Sequence, residues 1–115
     1  MIFNVDVKKL QESGIEENTF IVFLSDNGPA TYTKVATSEP LKGGKLTEFE
    51  GGIRIPMIFK WKNHFPENIV YENPISTVDI FSTVAAAINI EMPTDRVYDG
   101  VNLIPYFSGQ NATLP

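Results

Sequence analysis

The sequence predicts an α/β fold: a segment of a mostly parallel, helix-flanked sheet, interrupted by a long glycine-punctuated loop. Three observations carry the prediction. Thr19 to Leu24 is an unbroken run of β-branched and aromatic residues without polar alternation, the pattern of a strand covered on both faces. It stops at Ser25-Asp26-Asn27-Gly28-Pro29, a cluster of turn formers that sets two oxygen-bearing side chains at the carboxyl end of the strand, where ligands bind in open α/β sheets. Helical periodicity flanks this unit, near the N-terminus and again over Ile80 to Asn89.

Val5, Val7 and Leu10, with Lys8, Lys9, Gln11 and Glu12 between and beyond them, fit one short amphipathic helix that Gly14 ends as a left-handed cap. Ile15 to Asn18 connects it to the strand. From Ala30 to Gly52 neither a 3.6 nor a 2.0 period holds, and Pro40, Gly43, Gly44, Gly51 and Gly52 break the stretch, so it reads as a long ordered loop. Ile55, Met57 to Phe59 and Trp61 form a second strand introduced by Pro56, with a turn at Asn63 to Pro66. Asp79 caps a helix over Ile80 to Asn89, whose Phe81, Val84, Ala85 and Ile88 share one face. Pro93 to Gly100 is a loop. Leu103, Ile104, Tyr106 and Phe107 then predict a last helical turn ended by Gly109.

The 115 residues, 43% hydrophobic and 11% aromatic, hold apolar material for one modest domain or part of one. Acids outnumber bases 14 to 9, the net charge is -5, and no polybasic stretch exists, which argues against nucleic acid or an anionic membrane as partner. The longest apolar runs, Phe20 to Leu24 and Val84 to Ile88, fall far short of the roughly 20 residues of a membrane helix, so the chain reads as soluble. No basic segment followed by an apolar one opens the sequence, so no signal peptide is visible in this segment, and the compartment stays open. Without cysteine, disulfides, thiolate metal sites and a cysteine nucleophile are excluded.

Asp26 and Asn27 offer hard oxygen donors that suit Ca²⁺ or Mg²⁺, although spacing alone favours an Asx turn. Gly43-Gly44-Lys45 lets the backbone approach an anion while the ammonium supplies a point charge; a solvated loop lysine is the alternative, and the spacing is not that of a P-loop. Glu50 and Arg54 bracket Gly51-Gly52-Ile53 and read as a buried ion pair bracing the loop. His64, the only histidine, has no partner near it in sequence and reads as a surface residue. Asp79 reads as a helix N-cap and not as a catalytic acid. Asn111-Ala112-Thr113 matches the N-glycosylation pattern, which has meaning only in a secreted eukaryotic protein.

Together, the order and spacing of these pieces resemble the second half of the catalytic domain of the sulfatase family, type I arylsulfatases of the alkaline phosphatase superfamily. Phe20 through Gly28 is similar to the family's apolar strand running into Ser-Asp-Asn-Gly. Leu41-Lys42-Gly43-Gly44-Lys45, then Glu50-Gly51-Gly52-Ile53-Arg54-Ile55-Pro56 through Trp61, resembles its Leu-Arg-Gly-Gly-Lys loop and Glu-Gly-Gly-Ile-Arg-Val-Pro strand entry. Pro74 through Thr83 resembles its Val-Ser-x-Val-Asp-Leu-x-Pro-Thr helix entry, and Asp99-Gly100-Val101-Asn102-Leu103-Ile104-Pro105 its Asp-Gly-x-Ser-Leu-x-Pro segment. The likeness runs from about Leu10 to Gly109.

The resemblance implies that residues 1–115 are a partial sulfatase catalytic domain, lacking the N-terminal half and the C-terminal subdomain. It implies Asp26 and Asn27 as two ligands of an active-site calcium, and Lys45 as the lysine that contacts the sulfate of a sulfate ester substrate. Family members attack sulfur with a formylglycine hydrate made from Cys or Ser within Cys/Ser-x-Pro-x-Arg, and that motif is nowhere in this chain. The further acidic calcium ligands and the histidines that assist the leaving group lie upstream of anything present. The expectation is a segment of a sulfuric ester hydrolase that is inactive alone, binds calcium weakly and self-associates. A stand-alone non-enzymatic truncated domain and a phosphatase or phosphonate hydrolase relative are the alternatives; Asn27 argues against the latter, whose strand end more often carries Asp-His. Leu46 replaces the glycine that commonly follows the lysine, and its Cβ is expected to bar a positive φ there. Full-length relatives are often exported.

Overall fold

The computed structural model describes residues 2–109, with side chains from residue 7 onward. The Val5 side chain and the Asn111-Ala112-Thr113 triplet therefore lie outside the described residues. Helix α1 spans Ile2–Glu12, beginning earlier than the sequence periodicity indicates. Its exit is a Schellman closure: Gly14 takes φ +69, Ile15 N donates to Leu10 O at 3.1 Å and Gly14 N to Gln11 O at 3.0 Å. A 3-10 turn at Glu16–Asn18 leads to strand β1, Ile21–Leu24. The loop that follows contains a 3-10 turn at Thr31–Thr33 and helix α2, Glu50–Ile53. Strand β2 is Met57–Lys60, helix α3 is Asp79–Ala87 and helix α4 is Ile104–Phe107.

The chain forms two compact units. Ile21–Lys60 is one of them, and its frame is β1 paired with β2 from Ile21↔Lys60 to Leu24↔Met57, extended by Ser25 N donating to Pro56 O at 3.3 Å. The pairing is antiparallel, which corrects the expectation of a mostly parallel sheet for the strands described. The reason is the connection. A parallel pair needs a crossover to the far end of the sheet, whereas the loop from Ser25 to Pro56 leaves and re-enters at the same end. The expectation of a strand covered on both faces is also corrected, because the cross-strand neighbours Phe23 and Ile58 remain 47% and 46% exposed.

The second unit comprises Met1–Phe20 and Trp61–Pro115. Its aromatic cluster joins Phe20, Trp61, Phe65, Phe107 and Tyr71 through ring contacts of 5.2 to 5.9 Å, most of them edge to face. Beside it α3 is packed in a way its apolar pattern does not foretell. Asp79, Ser82 and Thr83 are buried along with Ala85, while Phe81 and Ile88 of the predicted core face are 57% and 61% exposed. The 100–103 segment docks on the polar face: Ser82 Oγ donates to Gly100 O at 2.8 Å, and Leu103 N donates to Thr83 Oγ1 at 3.0 Å. Leu103 is fully buried there. The apolar face instead lines an open groove with Ile90, Met92 and Pro93.

Candidate functional site

The site read from sequence lies within the Ile21–Lys60 unit and is built on backbone contacts. Strand β1 delivers Asp26 and Asn27 to its carboxyl end, where the turn closes on itself. Ser25 Oγ donates to Asn27 O at 2.7 Å and Asn27 Nδ2 donates to Gly28 O at 2.8 Å. The turn is then tied to the glycine-rich loop, with Gly28 N donating to Gly52 O at 2.8 Å and Lys45 N to Pro29 O at 2.9 Å. Lys45 is thus hydrogen-bonded at its backbone to the second residue beyond Asn27, although 18 positions separate Asn27 and Lys45 in sequence.

Glycine makes this approach feasible. A Cβ at Gly28 would fall onto the carbonyl oxygen of Gly51, and one at Gly52 onto that of Thr47; in both cases the obstruction is backbone, which has no rotamer with which to yield. The loop is further closed by Gly51 N donating to Lys42 O at 2.8 Å, by Ser38 Oγ donating to Gly43 O, and by Thr47 Oγ1 donating to Gly44 O at 2.7 Å. Lys42 stands 3.9 Å over the Phe49 ring, a cation-π contact on the rim of the loop. The loop from Ala30 to Gly52 is thus ordered by its own contacts, as the sequence indicates.

What this leaves available is specific. Asp26 is exposed and Lys45 half-buried, and neither side chain has a hydrogen-bond or ion-pair partner among the described residues. The half-buried Asn27 uses its amide nitrogen internally, which turns the remaining function of the side chain, the carbonyl oxygen, into an acceptor for an outside donor or cation. No cluster of three or more His, Cys, Asp or Glu side chains able to hold a metal exists among the described residues. The donors present suit a hard cation in kind and supply only part of the 6–8 oxygens that calcium takes.

Several residues play other parts than the sequence suggests. Glu50 and Arg54 do pair, at 3.3 Å, but as an exposed i,i+4 pair on α2 with side chains 66% and 71% accessible; the buried brace is not there because the glycine turn is itself helical and directs both side chains to solvent. Leu46 adopts φ +76, so its Cβ does not bar the left-handed conformation, and the side chain is 86% exposed. Asp79 is no N-cap, since Val78 holds that position. Its buried carboxylate accepts from Ser76 N at 2.7 Å and from Val101 N at 2.9 Å, joining two loops. His64 is exposed, as expected, and stacks on Trp61 with centroids 3.7 Å apart.

A buried carboxylate that sequence reading missed is Glu16, 5% exposed, which accepts from Gln11 Nε2 at 3.0 Å and from Lys62 Nζ at 3.1 Å. Hydrogen bonding to Glu16, and its charge, hold the Lys62 ammonium above the usual lysine range. Its signal is only the pairing of residues 46 apart, which no local pattern contains.

A model of the sulfatase family matches residues 7–90 of the chain. N-acetylgalactosamine-6-sulfatase of Mus musculus is 39% identical over 99 residues, covering 84% of this chain and 19% of that protein. Arylsulfatase D of Homo sapiens is 36% identical over 110 residues, covering 90% and 18%. Among solved structures, Ps i-CgsB in complex with k-i-k-neocarrahexaose is 39% identical with a TM-score of 0.81, over 88% of this chain and 22% of that one. The chain spans about a fifth of the length of the curated relatives it matches.

Proposed function

We propose that this chain, which belongs to the sulfatase family, supplies one wall of the active site of a sulfuric ester hydrolase domain, in which Asp26 and Asn27 hold calcium and Lys45 contacts the sulfate group. The whole-domain reaction is hydrolysis of a sulfate ester. The observation that carries the reading is the direct backbone coupling of the Asp26-Asn27 turn to the loop bearing Lys45, with the Asp26 carboxylate, the Asn27 carbonyl oxygen and the Lys45 ammonium left for an outside partner. In a complete domain the two β-strands would lie in the family's larger, mostly parallel sheet.

Each residue has a chemical task in this reading. The Asp26 carboxylate and the Asn27 carbonyl oxygen are hard donors for Ca²⁺, which when bound would supply fixed positive charge beside the ester. Lys45 would add a cation where negative charge builds on the sulfate oxygens, and the hydrogen bond of its backbone N to Pro29 O fixes where its side chain leaves the loop. The sequence holds no Cys/Ser-x-Pro-x-Arg precursor of a formylglycine nucleophile, so the chemical step would depend on residues other than these 115. We read residues 1–115 as part of a catalytic domain, with no nucleic acid or membrane partner.

Calorimetric titration tests the assignment. The 115-residue chain is expected to bind calcium only at millimolar concentration, as two donors dictate, and to lose that binding in Asp26→Ala. It is expected to release no product from a chromogenic aryl sulfate. Micromolar affinity would overturn the partial-shell reading, turnover that tracks the purified chain would overturn the dependence on outside residues, and binding unchanged by Asp26→Ala would overturn the ligand assignment.

A further inference from the structure

Asn27 precedes Gly28, and no other asparagine of the chain is followed by glycine. An Asn-Gly pair is chemically labile because no side chain on the second residue hinders attack by its backbone nitrogen on the asparagine Cγ. The other described asparagines precede β-branched, bulky or proline residues. In this fold, however, the attacking nitrogen is engaged. Gly28 is buried, its N–H donates to Gly52 O at 2.8 Å, and its Cα lies so close to the Gly51 carbonyl that no Cβ fits. Asn27 is held on both sides of its own peptide, by Ser25 Oγ donating to its carbonyl and by its Nδ2 donating to Gly28 O.

We propose that Asn27 is a site of spontaneous modification, converted to aspartate or isoaspartate through a cyclic imide, and that the Gly28–Gly52 contact is the latch that sets its rate. When the loop opens, the Gly28 nitrogen forms a bond to Asn27 Cγ and its proton passes to a solvent base. The Cγ–Nδ2 bond breaks and ammonia leaves. Water then adds to one of the two imide carbonyls and opens the ring, so that ammonia is lost, water is gained and nothing is oxidised or reduced. The reaction requires the Gly28 N–H to leave Gly52 O and the Asn27 side chain to leave Gly28 O, so it proceeds from the locally opened state and its rate follows the population of that state.

The two products differ in what they do to the latch. An aspartate at position 27 keeps the Gly28 N–H that donates to Gly52 O, loses the side-chain amide that donates to Gly28 O, and adds a carboxylate beside Asp26. Isoaspartate inserts a methylene into the backbone and displaces Gly28 from Gly52. Conversion is thus one-way, loosening the turn in the aspartate product and breaking the latch in the isoaspartate product. None of this depends on calcium or sulfate binding at the site, so it stands or falls separately from the proposed function.

The test is peptide mapping by mass spectrometry of the 115-residue chain held in warm, mildly alkaline buffer, with isoaspartate at position 27 quantified over time. Three samples are compared: the chain in buffer, the same chain in concentrated urea, and Ser25→Ala in buffer. The folded chain is expected to convert at Asn27 before any other asparagine, yet more slowly than in urea. Ser25→Ala removes one hydrogen bond of the turn and is expected to raise the rate about fivefold. Gly52→Ala, whose Cβ would collide with Thr47 O, is expected to approach the urea rate whether it folds with the latch displaced or does not fold. Equal rates in buffer and urea, earlier conversion at another asparagine, or a Ser25→Ala rate equal to that of the unchanged chain would each overturn the proposal.

Discussion

Replacing Asp79 by alanine separates the two roles its position allows. The residue is 6% exposed and its carboxylate accepts two backbone N–H groups, from Ser76 at 2.7 Å and Val101 at 2.9 Å. A hydrogen bond to a charged group contributes about 1.5–3 kcal/mol, so alanine, which leaves both donors unanswered, should cost about 3–6 kcal/mol. Against a net domain stability of roughly 5–15 kcal/mol, that is enough to unfold much of the population. Asparagine keeps one acceptor oxygen and should lose about half as much. Urea denaturation followed by fluorescence of Trp61, the only tryptophan and in the same unit, measures the difference. Hydrogen exchange at the Ser76 and Val101 amides supplies a local readout, since both should lose protection in Asp79→Ala. A loss below about 0.5 kcal/mol, the range of an ordinary surface change, with the Val101 amide still protected, would refute the reasoning.

Further outcomes follow from the same hydrogen bonds and exposures. Thr83→Val leaves Leu103 N without its acceptor at a fully buried position and should cost about 1–3 kcal/mol in the same titration, whereas Thr83→Ser keeps both hydrogen bonds and should cost less. Leu46→Gly should raise the thermal midpoint: relief of a left-handed leucine gains about 1–2 kcal/mol and the freer unfolded chain returns about 0.4–1, while a side chain 86% exposed has little packing to give up. Lys62 is held above its ordinary range by Glu16, so its contribution is fully present below the unfolded lysine value of about 10.4 and is lost as pH rises through the folded one; the alkaline fall of the urea midpoint should be shallower in Lys62→Met. Light scattering should find the 115-residue chain self-associated and Phe23→Lys less so, because β1 and β2 expose Phe23 and Ile58 together; a monodisperse unchanged chain would count against this.

Local rules were legible wherever a residue's neighbours in sequence decide its conformation. Gly14 ends α1 because the left-handed closure is local, and the apolar runs became β1 and β2 because β-branched and aromatic residues suit an extended chain. The direction of pairing was not local. It depends on where the loop from Ser25 to Pro56 re-enters the sheet, and residues within that loop settle it through backbone bonds that carry no side-chain pattern. The Glu16–Lys62 pair was hidden for the same reason. Glu50 and Arg54 illustrate the converse, since an acid and a base around two glycines suggest a brace, and only the helical turn between them decides that both face water.

Helix α3 shows why the candidate site itself remained ambiguous in sequence. Periodicity identifies an apolar face, but it does not say what covers that face; here the polar residues Asp79, Ser82 and Thr83 are buried because the 100–103 segment needs acceptors and donors there, while Phe81 and Ile88 stay open. A similar ambiguity attends the four motifs. Residues of the Pro74–Thr83 and Asp99–Pro105 segments answer one another: Asp79 with Val101, Ser82 with Gly100, Thr83 with Leu103. Their motif-like spacing therefore has a structural explanation inside the chain. Asp26 and Lys45 are different, for Lys45 is anchored at its backbone N to Pro29 O, Asp26 lies in the turn that Gly28 ties to Gly52, and their charges find no partner among the described residues. Satisfied polar groups explain a fold, whereas charged side chains carried on an anchored loop pair and left unanswered are open to a partner outside it, and that contrast puts Asp26 and Lys45 before Asp79 as the residues to test for chemistry.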